Sequence, residues 1–180
     1  LDVDGNGIPD ECSIPCAFED DLGFSGFNPS TGRSTGSDLA TDGQTTVIFN
    51  SGPTTADSIE FQFFRREGIN CVLEDVQAPG IPLSIYWYPR KSLAVSGDTV
   101  LFGTGAQNNY QFAGIYQRVD GTWALQSLIE ANNYNNNFAL SVALDGDTAV
   151  IGNPSSGSEE CEVFVYRRAG NTWFLEATLT

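Results

Sequence analysis

Residues 2–10 read Asp2-Val-Asp4-Gly-Asn6-Gly7-Ile8-Pro9-Asp10. Oxygen-bearing side chains stand at the first, third, fifth and ninth places of this run, and glycine holds the sixth. That is how a twelve-residue loop begins when it wraps a hard divalent cation. Alternation turns Asp2, Asp4 and Asn6 toward one centre, Gly7 takes the tight bend, the Ile8 carbonyl faces inward and Asp10 adds an oxygen. The ion that suits this all-oxygen set is Ca2+. The twelfth place, normally a carboxylate, is Ser13, with Glu11, Glu19, Asp20 and Asp21 nearby as substitutes. The competing explanation is a polar terminus whose acidic residues serve solubility.

Other candidates carry less chemistry. The aromatic run Tyr86-Trp87-Tyr88 could stack against sugar rings or form a partner-binding edge, or it could seal one structural unit against the next. Asn132-Asn-Tyr134-Asn-Asn-Asn137 suits tight loops, because asparagine tolerates left-handed backbone, and it could also contact a polar ligand. Arg65, Arg118 and Arg167 each stand three residues before a glycine. A residue recurring in this way points to a structural carboxylate pair, the alternative being a substrate-binding arginine cluster. Cys12, Cys16, Cys71 and Cys161 allow two disulfides in three pairings. Adjacent acids such as Glu159-Glu160 could act as acid and base, but adjacency alone specifies no enzyme, and no catalytic motif is found.

Composition narrows the classes. Among 180 residues there are 23 Asp and Glu, 8 Lys and Arg and no His, a net charge of −15. So acidic a chain lacks the clustered cations that bind phosphate backbones or anionic membranes. Without histidine it cannot build a Ser-His-Asp triad, a Cys-His pair or an imidazole zinc site. No 18-residue apolar run exists to span a bilayer. An acidic, Asn- and Thr-rich chain with one lysine (Lys91) and no methionine reads as a mature, exported piece in a disulfide-permissive compartment.

These residues need elements to position them, and an internal repeat supplies the elements. Leu39-Ala-Thr-Asp-Gly43, Leu93-Ala-Val-Ser-Gly97 and Val142-Ala-Leu-Asp-Gly146 each precede a second apolar run. A further turn follows each time, at Gly68, Gly121 and Gly170, after Phe61-Gln-Phe-Phe-Arg-Arg, Gly114-Ile-Tyr-Gln-Arg-Val and Val163-Phe-Val-Tyr-Arg-Arg. The paired glycines are 25, 24 and 24 residues apart. Gly beside Asp between β-branched runs is a hairpin signal. Each unit therefore predicts four strands, in the third unit near 140–145, 148–152, 161–168 and 172–179. Val163-Phe-Val-Tyr166 is apolar on both faces, as in strands covered on both sides. Tandem four-stranded sheets of this kind fit blades stacked about an axis.

The Val142-Ala-Leu-Asp-Gly-Asp-Thr-Ala-Val-Ile-Gly-Asn-Pro154 stretch, with the later Val-Phe-Val-Tyr-Arg-Arg and Thr-Trp-Phe-Leu segments, resembles an FG-GAP repeat. Such repeats are the blade units of integrin-α-like β-propellers and of secreted bacterial proteins. Phe138-Ala139 stands at the family's Phe-Gly pair, Pro89-Arg90 departs from it in unit two, and Cys71 replaces the tryptophan found at 123 and 173. The Asn6-Gly-Ile-Pro-Asp-Glu-Cys12 run resembles the calcium repeats of thrombospondin type 3.

The expected organisation is a calcium-loop segment at 1–16, a linker at 17–36 and three blades at 37–79, 92–130 and 138–180 in an all-β chain. The metal ligands expected are Asp2, Asp4, Asn6, Ile8 and Asp10. The function expected is a non-catalytic extracellular or cell-surface module for structure, adhesion or protein interaction. The alternatives are a carbohydrate-binding module using Tyr86, Trp87 and Tyr88, or a fragment of a propeller-type hydrolase. Closed propellers use about 4–8 blades, so three imply either further blades beyond Thr180 or completion by self-association or protein partners, and the outermost sheets should each bare an apolar face.

Overall fold

A computed structural model describes residues 34–51, 60–78, 92–104, 111–130, 137–154 and 161–180. They form twelve strands in three four-stranded antiparallel sheets, with no helix among them and no closure into a barrel. Sheet I holds β1 (Ser34–Thr41), β2 (Thr45–Ser51), β3 (Glu60–Glu67) and β4 (Asn70–Gln77). Sheet II holds β5 (Ser92–Ser96), β6 (Thr99–Gly103), β7 (Phe112–Val119) and β8 (Thr122–Glu130). Sheet III holds β9 (Ser141–Asp145), β10 (Thr148–Asn153), β11 (Glu162–Ala169) and β12 (Thr172–Leu179). Each is a meander in chain order. The four strands anticipated in the third unit fall within one residue of those observed.

Hairpin chemistry sets these boundaries. All six repeat glycines have positive φ, the backbone that two-residue hairpin turns require. At Asp120-Gly121 both turn residues are left-handed, with Asp120 at φ 53°, which a short Asp side chain tolerates better than most.

The sheets stack I on II on III. Strand β6 shows why, because successive residues face opposite ways and both faces are apolar. Val100 and Phe102 point to sheet I, where Val47, Phe49, Phe61 and Phe63 meet them together with Tyr116 and Trp123. Leu101 points to sheet III with Ala113 and Ile115, against Phe138, Ala149, Ile151 and Trp173. Aromatic rings lock the first interface: Phe63 stacks on Trp123 at 4.5 Å and Phe49 on Phe102 at 5.2 Å. Such pairs add about 0.5–1.5 kcal/mol each beyond burial.

The two outer faces differ, contrary to the expectation that both would be bare. On sheet I the outward Ile48, Phe64 and Cys71 form their own buried cluster. On sheet III the outward Val150, Val163 and Val165 are only partly buried. Beyond them Phe174 and Leu179 are 55% and 56% exposed. Apolarity on both faces of β11 therefore does not mean cover on both faces, since no described residue packs on its outward side.

Candidate functional site

The residues singled out for chemistry divide sharply. Asp2, Asp4, Asn6, Ile8 and Asp10, the aromatic run Tyr86, Trp87 and Tyr88, and Cys12 and Cys16 all lie outside the described residues. Cys71 is disulfide-bonded. Cys161, the fourth disulfide candidate, is instead a free, exposed thiol. Among the described residues no group of three or more acidic, histidine or cysteine side chains could hold a metal. No helix there is long and apolar enough to cross a membrane.

What the described residues do bring together is a set of polar contacts between successive sheets. Two positions recur at both interfaces, and a third is built at the second. The first is the residue before the β1–β2, β5–β6 or β9–β10 turn glycine. Asp42 Oδ2 accepts the Gly97 N–H at 2.6 Å, and Ser96 Oγ accepts the Gly146 N–H at 3.0 Å. Partial burial pushes the Asp42 carboxyl up, but bonds accepted from the N–H groups of Thr45, Gln44 and Gly97 outweigh it and hold it below the usual carboxylate range.

The second is a β-bulge on the last strand of each sheet. Register slips between Phe63 and Phe64, between Ile115 and Tyr116, and between Val165 and Tyr166. The extra residues are Glu74, Gln126 and Glu176. A bulge re-aims its side chain, and Glu74 is aimed at sheet II. Its carboxylate accepts both oxygens' worth of Arg118 Nη1 at 3.0 Å and the Trp123 Nε1 at 3.1 Å. The neighbouring Asp75 accepts the Trp123 N–H at 2.8 Å. At the second interface Gln126 Oε1 and Trp173 Nε1 are both buried without a partner.

The third is a notch. Ser92 Oγ donates to the Ala139 carbonyl at 3.2 Å. A Cβ on Gly103, which pairs with Ser92, would collide with that same carbonyl. Ala139 is buried and left-handed at φ 59°, a conformation that favours glycine.

The arginines need a correction. Counting back from the turn glycines aligns Arg65, Arg118 and Arg167, whereas the ladders align Arg66, Arg118 and Arg168. These three pair with Cys71, Trp123 and Trp173, and their N–H groups donate to the carbonyls of Gln44, Asp98 and Asp147. The count slips because glycine is second in the Asp120-Gly121 turn but first in the turns at Gly68 and Gly170. Arg118 and Arg168 lie over the rings of Trp123 and Trp173 and bond Asp98 and Asp147 through Nε at 2.8 and 2.6 Å. Arg65 and Arg167 instead pair with the bulge residues Glu74 and Glu176 at 3.5 and 3.4 Å. These guanidinium groups serve carboxylate pairs within and between sheets.

Sequence reasoning missed the bulge position. The signal was present: Cys71-Val-Leu-Glu74, Trp123-Ala-Leu-Gln126 and Trp173-Phe-Leu-Glu176 repeat an aromatic-or-Cys, x, Leu, Glu/Gln pattern. No family model matches the chain, and no curated protein sequence matches it.

Proposed function

We propose that this chain is a non-catalytic assembly and protein-interaction module built from FG-GAP-like propeller blades. It works outside the cell or at its surface, with a calcium-stabilised loop at residues 2–10. The observation that carries the reading is the repeated interface: sheets I and II each present a turn acceptor and a bulge side chain to the next, and sheet II adds a small-residue notch. At the first interface the polar groups of the repeat are consumed in stacking, as Glu74 is by Arg118 and Trp123. Left-handed backbone at Ala139 supports the FG-GAP resemblance, because the family has glycine in that place. The acidic, nearly lysine-free composition supports export.

The test has two arms. Calorimetric titration with calcium should show binding that Asp4→Ala and Asp10→Ala abolish; heat unchanged by those substitutions removes the loop from the proposal. Purified chain should bind no polysaccharide on a glycan array and hydrolyse no glycoside or phosphoester. Glycan capture lost on Trp87→Ala would replace this function by carbohydrate binding, and turnover would replace it by a hydrolase.

A further inference from the structure

Sheet III carries outward the positions by which sheet I or sheet II holds its successor. The ladders make Val47, Leu101 and Val150 equivalent, each paired across to Phe63, Ile115 or Val165. In the first two sheets these residues are fully buried under the next sheet, while in the third they are half-covered. Ser141 pairs with Gly152 as Ser92 pairs with Gly103, and the three atoms nearest a Cβ on Gly152 all belong to Ser141. Among the described residues, then, no carbonyl from another sheet is seated in this notch as Ala139's is at Gly103. Asp145 precedes Gly146 as Asp42 precedes Gly43, and it is exposed. Glu176 is the bulge carboxylate equivalent to Glu74, half-exposed and, among the described residues, held by Arg167 alone.

We infer that this outward face of sheet III is a docking surface for one further sheet of the same repeat. The incoming sheet enters with a left-handed residue's carbonyl at Ser141 and Gly152, a turn glycine N–H on Asp145, and an Arg-x-x-x-x-Trp hairpin on Glu176. That spacing is the one from Arg118 to Trp123 and from Arg168 to Trp173. The inference deepens the assembly-module proposal and rests on its stacking geometry.

The first sheet of a second copy does not fit. Its outward Ile48, Phe64 and Cys71 are already buried. At the hairpin it offers disulfide-bonded Cys71 in place of tryptophan, and Arg66 there bonds the Gly68 carbonyl. The two acceptors of sheet III, Asp145 and Glu176, would be left facing a surface without their donors, and buried acceptors without donors are costly.

The experiment appends a second copy of residues 131–180 directly after Thr180 of the full chain. Glu130 and Thr180 are equivalent in the repeat, so the junction keeps native register. Both the parent and the extended chain carry Cys161→Ser and Val165→Cys, and the rate of maleimide modification at position 165 is followed by peptide mass mapping. Protection by at least 10-fold in the extended chain is expected, because the equivalents Phe63 and Ile115 are fully buried. Adding Gly152→Val or Glu176→Lys to the extended chain should restore most of the parent rate while leaving its strand content by circular dichroism unchanged. Equal rates in parent and extended chains overturn the inference. Slow modification in the parent with a doubled mass by light scattering also overturns it, in favour of a second copy. Glycan binding or hydrolysis would defeat the functional proposal and leave the protection result standing.

Discussion

Glu74 and Trp123 are joined across the first interface by a hydrogen bond of 3.1 Å from the indole N–H to the carboxylate. The equivalent pair at the second interface, Gln126 and Trp173, leaves a buried acceptor and a buried donor unmatched. One repeat position thus holds a satisfied and an unsatisfied version of the same contact. Charge tracks the difference: Arg65 with Glu74 and Arg167 with Glu176 become Gln117 with Gln126 in the middle sheet.

Exchanging the bulge residues should move stability in opposite directions. Glu74→Gln removes the charged acceptor of Arg118 and Trp123 and should cost about 2 kcal/mol. Gln126→Glu gives Trp173 an acceptor close to Arg168 and should gain about 1 kcal/mol. Urea denaturation midpoints at unchanged m-value report both. A Gln126→Glu variant no more stable than the parent would remove the equivalence.

Gly103→Ala should destabilise by about 3 kcal/mol, because the added methyl collides with the Ala139 backbone carbonyl and pries sheet III from sheet II. Gly152→Ala should cost less than half as much in the same chain, since a side chain, Ser141, is the nearest obstacle. Thermal unfolding of the two variants side by side decides it. Equal losses would mean that no tight inter-sheet approach exists at Gly103.

Asp42 should impose an acid limb on stability. Its folded carboxyl titrates below the unfolded value, near 3.9 for a free aspartate. Its contribution is therefore fully present above the unfolded value and is lost as pH falls through the folded one. Asp42→Asn should be less stable than the parent at pH 7, with the gap narrowing progressively below about pH 4. A gap constant down to pH 2 would contradict the assignment of the Gly97, Gln44 and Thr45 bonds to the carboxylate.

Asp120→Gly should be tolerated within about 0.5 kcal/mol, whereas Asp120→Val should cost about 2 kcal/mol, because φ is 53° there and β-branched residues resist the left-handed region. Equal effects in urea denaturation would mean that the hairpin does not need that conformation.

The cysteines should separate by reagent. Iodoacetamide should alkylate Cys161 in the native oxidised protein, and Cys71 only after reduction, as read by peptide mass mapping. Native alkylation at Cys71 would show that its disulfide does not form.

The all-β class, the three units and nearly every strand were legible from the residues alone. Those signals are local: Gly43, Gly97 and Gly146 must take positive φ wherever they lie in space, and alternation about them fixes which side chains share a face. The repeat also announced Arg118 and Trp123, though not with what they would pair. Partner choice was invisible because it depends on a bulge that re-aims Glu74, and on a turn that puts Asp120 where its counterparts have glycine. The bulge alters register by one residue, and a one-residue shift reverses every facing. The turn leaves its ladder unchanged and moves only the glycine, which misleads a count made from the sequence. The difference between the two outer faces was equally out of reach: Phe64 and Tyr166 occupy equivalent positions, and whether Ile48 or Val150 is covered depends on what is packed against it. Sequence decided the unit, since a hairpin's geometry is local. Tertiary structure decided that Glu74 meets Trp123 while Glu176 still faces outward, since a docking contact exists only once two sheets have met.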